Sequence, residues 1–193
     1  MSADRYIVCI GTSTGGPGAL EKVLTKLPAA FPAPLFIVQH MPPKFTNALA
    51  ERLDSFSRIR VKEAEHGENA KPGTAYIAPG GFQMKIGNSA AGVAICVEAA
   101  KPRSGHCPSV NELFESAAKL KGFKKVAVIM TGMGSDGADG LKSLVSNGDT
   151  YVVAESAASA VVFGMPRVAI ESVKVDEVLH VDHIGECLAD KIT

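Results

Sequence analysis

Ser13, His40 and Asp136 are the residue types needed to deprotonate a hydroxyl, hold an imidazole in one tautomer and stabilise the imidazolium that forms. Each sits in a polar, turn-rich stretch directly after an apolar run. Ser13 lies in Gly11-Thr12-Ser13-Thr14-Gly15-Gly16 after residues 6–10, and His40 lies in Gln39-His40-Met41-Pro42-Pro43 after residues 35–38. Asp136 lies in Thr131-Gly132-Met133-Gly134-Ser135-Asp136-Gly137 after residues 126–130. Gly11-Thr12-Ser13-Thr14-Gly15 fits the nucleophile-elbow pattern, in which a sharp strand-to-helix turn exposes a serine hydroxyl. The chain order Ser, His, Asp differs from the Ser, Asp/Glu, His order of α/β-hydrolases.

A glycine-rich strand-to-helix turn can also cradle a phosphate. Here the Walker lysine is missing, since Pro17 follows Gly16, and the glycine spacing does not match the dinucleotide fingerprint. Each residue also has a plain structural reading: Ser13 as a helix cap, His40 as a loop residue bonded to backbone, Asp136 as a turn residue. The residues alone leave two readings open, namely a hydrolase and a phosphate- or nucleotide-binding module on the Gly11–Gly16 turn.

The elements that must position these residues alternate between strand-like and helix-like patterns, which predicts an α/β fold with a mostly parallel sheet covered by helices on both faces. Parallel strands place all their carboxyl ends on one edge, so three distant stretches can meet there. Helices are expected over residues 19–27, 45–56 and 141–145, with short strands at 60–64, 75–78, 151–154 and 177–181. Two runs at 82–86 and 93–97 around a Gly/Asn/Ser loop predict an antiparallel hairpin outside the parallel core. Ser109-Val110-Asn111-Glu112 reads as a capping box opening a helix, Gly164-Met165-Pro166 as a helix break, and Asp182 as the N-cap of the closing helix.

Twenty Lys+Arg balance twenty Asp+Glu among 193 residues, so net charge gives no argument for nucleic acid or an anionic membrane as partner. No apolar run nears the roughly 20 residues of a membrane span, and the first residues lack a signal-peptide pattern. Cys9, Cys96, Cys107 and Cys187 are scattered without metal or disulfide spacing, so no metal is expected and reduced thiols of a cytoplasmic protein are. His66, His180 and His183 read as solvated, and the His106-Cys107 neighbours as pointing apart rather than as a nucleophile pair.

Several further stretches complete a pattern: Ala75-Tyr76-Ile77-Ala78-Pro79-Gly80-Gly81, Pro108-Ser109-Val110 and Val161-Val162-Phe163-Gly164-Met165-Pro166, in order with the three above. From about Arg5 onward the chain closely resembles the catalytic domain of the chemotaxis protein-glutamate methylesterases (CheB). The resemblance implies a doubly wound sheet and hydrolysis of γ-glutamyl methyl esters on methylated chemoreceptor cytoplasmic domains, with glutamine deamidation in many members. It implies Ser13 as nucleophile, His40 as base and later acid, Asp136 as the group orienting His40, the Met133 N–H as an oxyanion donor, and Thr14 beside the site. No cofactor is implied. A single catalytic domain over residues 1–193 is expected, without the receiver domain that usually precedes it. Gln83 stands where a histidine is common, and Cys107 and Gly18 where arginine is; these changes are expected to weaken docking on an acidic receptor while sparing the chemistry, and Gln83 and Cys107 keep a non-catalytic receptor-binding homologue as the alternative.

Overall fold

The computed structural model describes residues 5–192. The strands β1 (Tyr6–Thr12), β2 (Leu35–Gln39), β3 (Arg60–Glu63) and β4 (Thr74–Ile77) join β7 (Lys124–Ile129), β8 (Thr150–Glu155) and β9 (Glu177–Leu179) in one seven-stranded sheet. Its order is β3-β4-β2-β1-β7-β8-β9, and every neighbouring pair is parallel. The strands β5 (Gln83–Ser89) and β6 (Gly92–Glu98) form a separate antiparallel hairpin. The helices are α1 (Gly16–Leu24), α2 (Phe45–Phe56), α3 (Val110–Ala118), α4 (Ala138–Ser146), α5 (Met165–Ser172) and α6 (Val181–Ile192).

The period-2 geometry of a strand explains why β1, β2 and β7 read as unbroken apolar runs: both of their faces are buried. Val8 and Ile10 of β1, Leu35 and Ile37 of β2 and Val128 of β7 pack with Leu20 and Val23 of α1, Leu53 of α2 and Leu188 of α6. The alternate residues Ile7, Cys9, Phe36, Val38 and Ile129 pack on the opposite face with Val110 and Phe114 of α3, Leu141 of α4 and Ala169 of α5. Each fully buried Leu, Ile or Phe side chain in these layers contributes about 1.5–3 kcal/mol relative to exposure.

The two-sided wrapping places the site. β1 is followed by α1 on one face, whereas β7, its neighbour on the other side, is followed by α4 on the opposite face. Loops leaving adjacent strands toward opposite faces open a crevice at the carboxyl edge, the usual ligand position in such sheets. Ser13 and Asp136 leave β1 and β7 across that crevice, and His40 leaves β2 on the other side of β1.

Several local expectations are corrected. α1 begins at Gly16, three residues ahead of the expected start at 19, because Pro17 suits the first turn of a helix, where no N–H is needed. α5 likewise starts at Met165, with Pro166 in its first turn, so Gly164-Met165-Pro166 opens a helix instead of breaking one. The hairpin is tighter than expected: Ser89 pairs with Gly92, leaving only Ala90 and Ala91 to turn the chain. Asp182 lies inside the first turn of α6 and pairs with Lys22 at 3.1 Å, so it complements the helix dipole without capping it.

Candidate active site

Asp136 is the most heavily tied residue at the edge. Its Oδ1 accepts from the Ser109 hydroxyl at 2.8 Å and the Asn111 N–H at 3.2 Å, and its Oδ2 accepts from the Val110 N–H at 2.7 Å. The expected capping box is therefore absent. Ser109 makes no side-chain cap bond to its own helix, and Glu112 instead meets Arg103 at 3.3 Å and Lys85 at 3.4 Å. The orphan N–H groups of α3 are satisfied by a carboxylate from another loop, where the positive end of the helix favours it. Asn111 fixes the loop from below, its Oδ1 accepting from the Gly137 and Gly140 N–H groups at 3.0 and 2.8 Å. Burial alone pushes the Asp136 carboxyl upward. The hydrogen bonds from His40, Val110, Ser109 and Asn111 together outweigh that and hold it below the ordinary carboxylate range.

The remaining capacity of Asp136 goes to His40, whose Nε2 lies 2.7 Å from Oδ2 with both side chains largely buried. A carboxylate can only accept, so Nε2 carries the proton and Nδ1 keeps the lone pair. That Nδ1 is buried and, among the described residues, without a hydrogen-bond partner. The aspartate thus bonds Nε2 and leaves Nδ1 for a hydroxyl, the reverse of the usual Ser-His-Asp template. The backbone ties this residue to the serine turn: the His40 N–H donates to Thr12 O at 3.1 Å. The Gln39 amide Nε2 donates to both Ser13 O and His40 O, at 2.9 and 3.0 Å.

Ser13 is half-buried at the end of β1, its N–H donating to Thr131 O at 2.9 Å. Among the described residues its hydroxyl makes no hydrogen bond, so the bond to His40 is not closed. Catalytic hydrogen bonds of this kind commonly tighten only with substrate. The turn needs Gly15, which adopts φ +83° against the Val161 side chain, a conformation an L side chain rarely takes. The backbone N–H groups of Thr14 and Met133 have no acceptor among the described residues. The Met133 side chain is 72% exposed. The start of α5 fixes the Met133 turn from behind, because Gly132 O accepts from the Gly164 and Met165 N–H groups at 3.1 and 2.8 Å. A hydroxyl, a tautomerically fixed imidazole with a free nitrogen, and uncommitted N–H donors at one edge are the parts of an acyl-transfer site.

The CheB methylesterase family model matches residues 8–188. The chain belongs to the CheB methylesterase family. This CheB-family chain is 55% identical over 185 residues to a protein-glutamate methylesterase/protein-glutamine glutaminase of Halalkalibacterium halodurans, covering 96% of the chain and 53% of that relative. It is 49% identical over 181 residues to one of Bacillus subtilis, covering 94% of the chain and 51% of the relative. The chain therefore spans about half the length of the curated relatives it matches. A crystal structure of the Thermotoga maritima CheB methylesterase catalytic domain superposes with a TM-score of 0.94 at 43% identity, over 98% of this chain and 100% of that one. The doubly wound sheet with its hairpin is the fold of that domain.

The CheB motifs did not reveal every residue at the edge. Gln39, Ser109 and Asn111 hold the His40–Asp136 pair, and His106 stacks face to face on His40 with ring centroids 3.8 Å apart and planes 5° apart. His40, Met41, Pro42, Gly105, His106, Cys107 and Pro108 line a cleft of about 290 Å³. Gln83 proves not to be a lost docking residue. It is 1% exposed, its Nε2 donating to His106 O at 3.1 Å and its Oε1 accepting from the Ser109 N–H at 2.8 Å, so it braces the loop instead of meeting a partner. Partial burial raises the Cys107 thiol above its ordinary range, which disfavours the nucleophilic thiolate.

Proposed function

We propose that this chain hydrolyses γ-glutamyl methyl esters on the cytoplasmic part of methylated chemoreceptors. The observation that carries the reading is the 2.7 Å bond from His40 Nε2 to the helix-anchored Asp136, which leaves Nδ1 without a partner among the described residues, on a residue whose N–H is tied to Thr12 O just before Ser13. The printed names of the relatives, protein-glutamate methylesterase/protein-glutamine glutaminase, support the choice of substrate.

In this reading Ser13 Oγ attacks the ester carbonyl carbon while its proton passes to His40 Nδ1. The imidazolium is stabilised by Asp136, and the Met133 N–H, with that of Thr14 nearby, receives the charge on the carbonyl oxygen. Collapse of the tetrahedral intermediate breaks the bond to the methoxy oxygen. His40 hands that oxygen the proton, and methanol leaves. A water molecule, deprotonated by His40 in turn, cleaves the acyl-enzyme and restores Ser13 and a glutamate carboxylate. The same steps on a glutamine side chain release ammonia. Every proton is carried by His40, so the cycle calls for no cofactor. Any receiver domain that gates the site lies outside this reading of the chain's own residues.

The test is methanol release from membranes bearing methylated receptors. Release that rises with the amount of this protein supports the proposal; none above the membrane blank overturns it. The oxyanion assignment has its own test in Gly164, where an added Cβ would lie 2.7 Å from Gly132 O and 3.2 Å from Met133 Cα. Both contacts are backbone, so the Met133 turn must move. Gly164→Ala is expected to lower kcat by about 10²-fold, the scale of a lost oxyanion donor, with KM changed far less. Unchanged kcat in steady-state assays would remove Met133 from that role.

A further inference from the structure

We propose that His106 is a positioning residue for His40, its ring fixing the plane of the general base so that Nε2 stays on Asp136 and Nδ1 stays free for the serine. Asp136 holds His40 at one atom only, and among the described residues the opposite ring nitrogen has no partner. One hydrogen bond still lets the ring tilt about its Cβ–Cγ bond. A second ring stacked parallel to it 3.8 Å away removes the freedom, because tilting would drive one imidazole into the other.

The segment presenting His106 is built to hold it still. Arg103 and His106 exchange reciprocal N–H···O bonds of 2.9 Å across a two-residue turn, Ser104-Gly105, in which both residues have positive φ. The Arg103 guanidinium grips Glu115 through two nitrogens, at 2.5 and 2.6 Å, and reaches Glu112 at 3.3 Å, which fastens the turn to α3. Gln83 accounts for the carbonyl of His106, and the Gly81 N–H donates to Cys107 O at 3.0 Å. The same helix that anchors Asp136 therefore also anchors the residue covering His40, so both constraints on the base move together.

A neutral ring is required over a base that becomes a cation during turnover. Burial, and then the nearby His40, lower the pKa of His106, with Asp136 opposing them weakly. His106 thus stays uncharged, and its π face can meet the His40 imidazolium without adding a second positive charge. This also explains why a ring stacks here in place of a lysine or arginine, which would repel the protonated base.

The kinetic arm of the test rests on the ester-hydrolase reading; the spectroscopic arm does not. In His106→Ala, kcat for methanol release is expected to fall by about tenfold to a hundredfold with KM within about threefold, the penalty of a base held out of line, while His106→Phe keeps kcat within about threefold. The proton on His40 Nε2, shared with Asp136, should give a sharp low-field NMR resonance in the wild-type and His106→Phe proteins and a broadened one in His106→Ala. A sharp resonance in folded His106→Ala, or a His106→Phe protein as impaired as His106→Ala, overturns the proposal. The expected resonances in a protein that releases no methanol would uphold the positioning role and defeat the esterase reading instead.

Discussion

Ser13→Ala is expected to lower kcat for methyl-ester hydrolysis by about 10⁶-fold, the loss seen when a serine nucleophile is removed from a triad. The structure says why this loss should be purely chemical. The turn is held by backbone: the Ser13 N–H donates to Thr131 O, Ser13 O accepts from the Gln39 amide at 2.9 Å and from the Gly16 N–H at 2.8 Å. The hydroxyl itself makes no hydrogen bond among the described residues, so its removal leaves no partner stranded. Thermal unfolding of Ser13→Ala should therefore coincide with wild type within about 1 °C, below the roughly 2–4 °C shift that a 1 kcal/mol loss gives in a chain of this size. A variant that loses activity together with its melting transition would point to a structural serine instead.

Asp136→Asn should act on both rate and stability. An asparagine at this place presents an NH₂ to groups that are all donors: the Ser109 hydroxyl, the Val110 and Asn111 N–H groups, and His40 Nε2–H. Facing the amide nitrogen, the imidazole would have to carry its proton on Nδ1, which is the wrong tautomer for taking one from Ser13. The expected loss in kcat is about 10⁴-fold, as for the same replacement in a serine protease triad. The stability effect follows from the lowered carboxyl pKa of Asp136. Because the folded value lies below the unfolded one, its contribution is fully present above the ordinary carboxylate range and is lost as pH falls through the depressed folded value. Acid titrations of unfolding should show wild type losing stability over that interval and Asp136→Asn starting lower at neutral pH but falling less. Parallel acid curves for the two proteins would mean that the cradle on α3 does not favour the charged carboxylate.

The parts of this site readable from sequence were those written in local pattern. The apolar runs of β1, β2 and β7 are continuous because each strand is buried on both faces, and the polar turns after them mark the carboxyl edge directly. Contacts that join distant segments left no such mark. Ser109 sits at the start of a helix, where a capping box is the local expectation, yet the carboxylate that caps α3 comes from the loop after β7. The sign that could have pointed there is Asn111, a polar residue on the inner face of an amphipathic helix, since a buried amide must find partners. His106 is paired in sequence with Cys107, but in space with His40, and only the fold brings the two rings together. The reading of Pro166 as a break failed because proline stops a helix from within but suits its first turn, and pattern alone did not say on which side of the boundary it lay.

The same logic explains Gln83. Set against a family pattern it looked like a docking residue lost from the surface, whereas burial and two hydrogen bonds make it a brace for the His106 loop. Of the departures expected to weaken substrate docking, Cys107 and Gly18 remain at accessible positions, and their effect belongs to affinity measurements with receptor.

The central claim is that Ser13 is a nucleophile activated by His40, and active-site labelling tests it without any receptor. A serine-directed phosphonate, followed by peptide mass spectrometry, should place one adduct on Ser13 of the wild-type protein. In His40→Ala the rate of labelling should drop by about 10²–10⁴-fold, the contribution of a general base. An adduct on another residue, or labelling of Ser13 at the same rate in both proteins, would contradict the account.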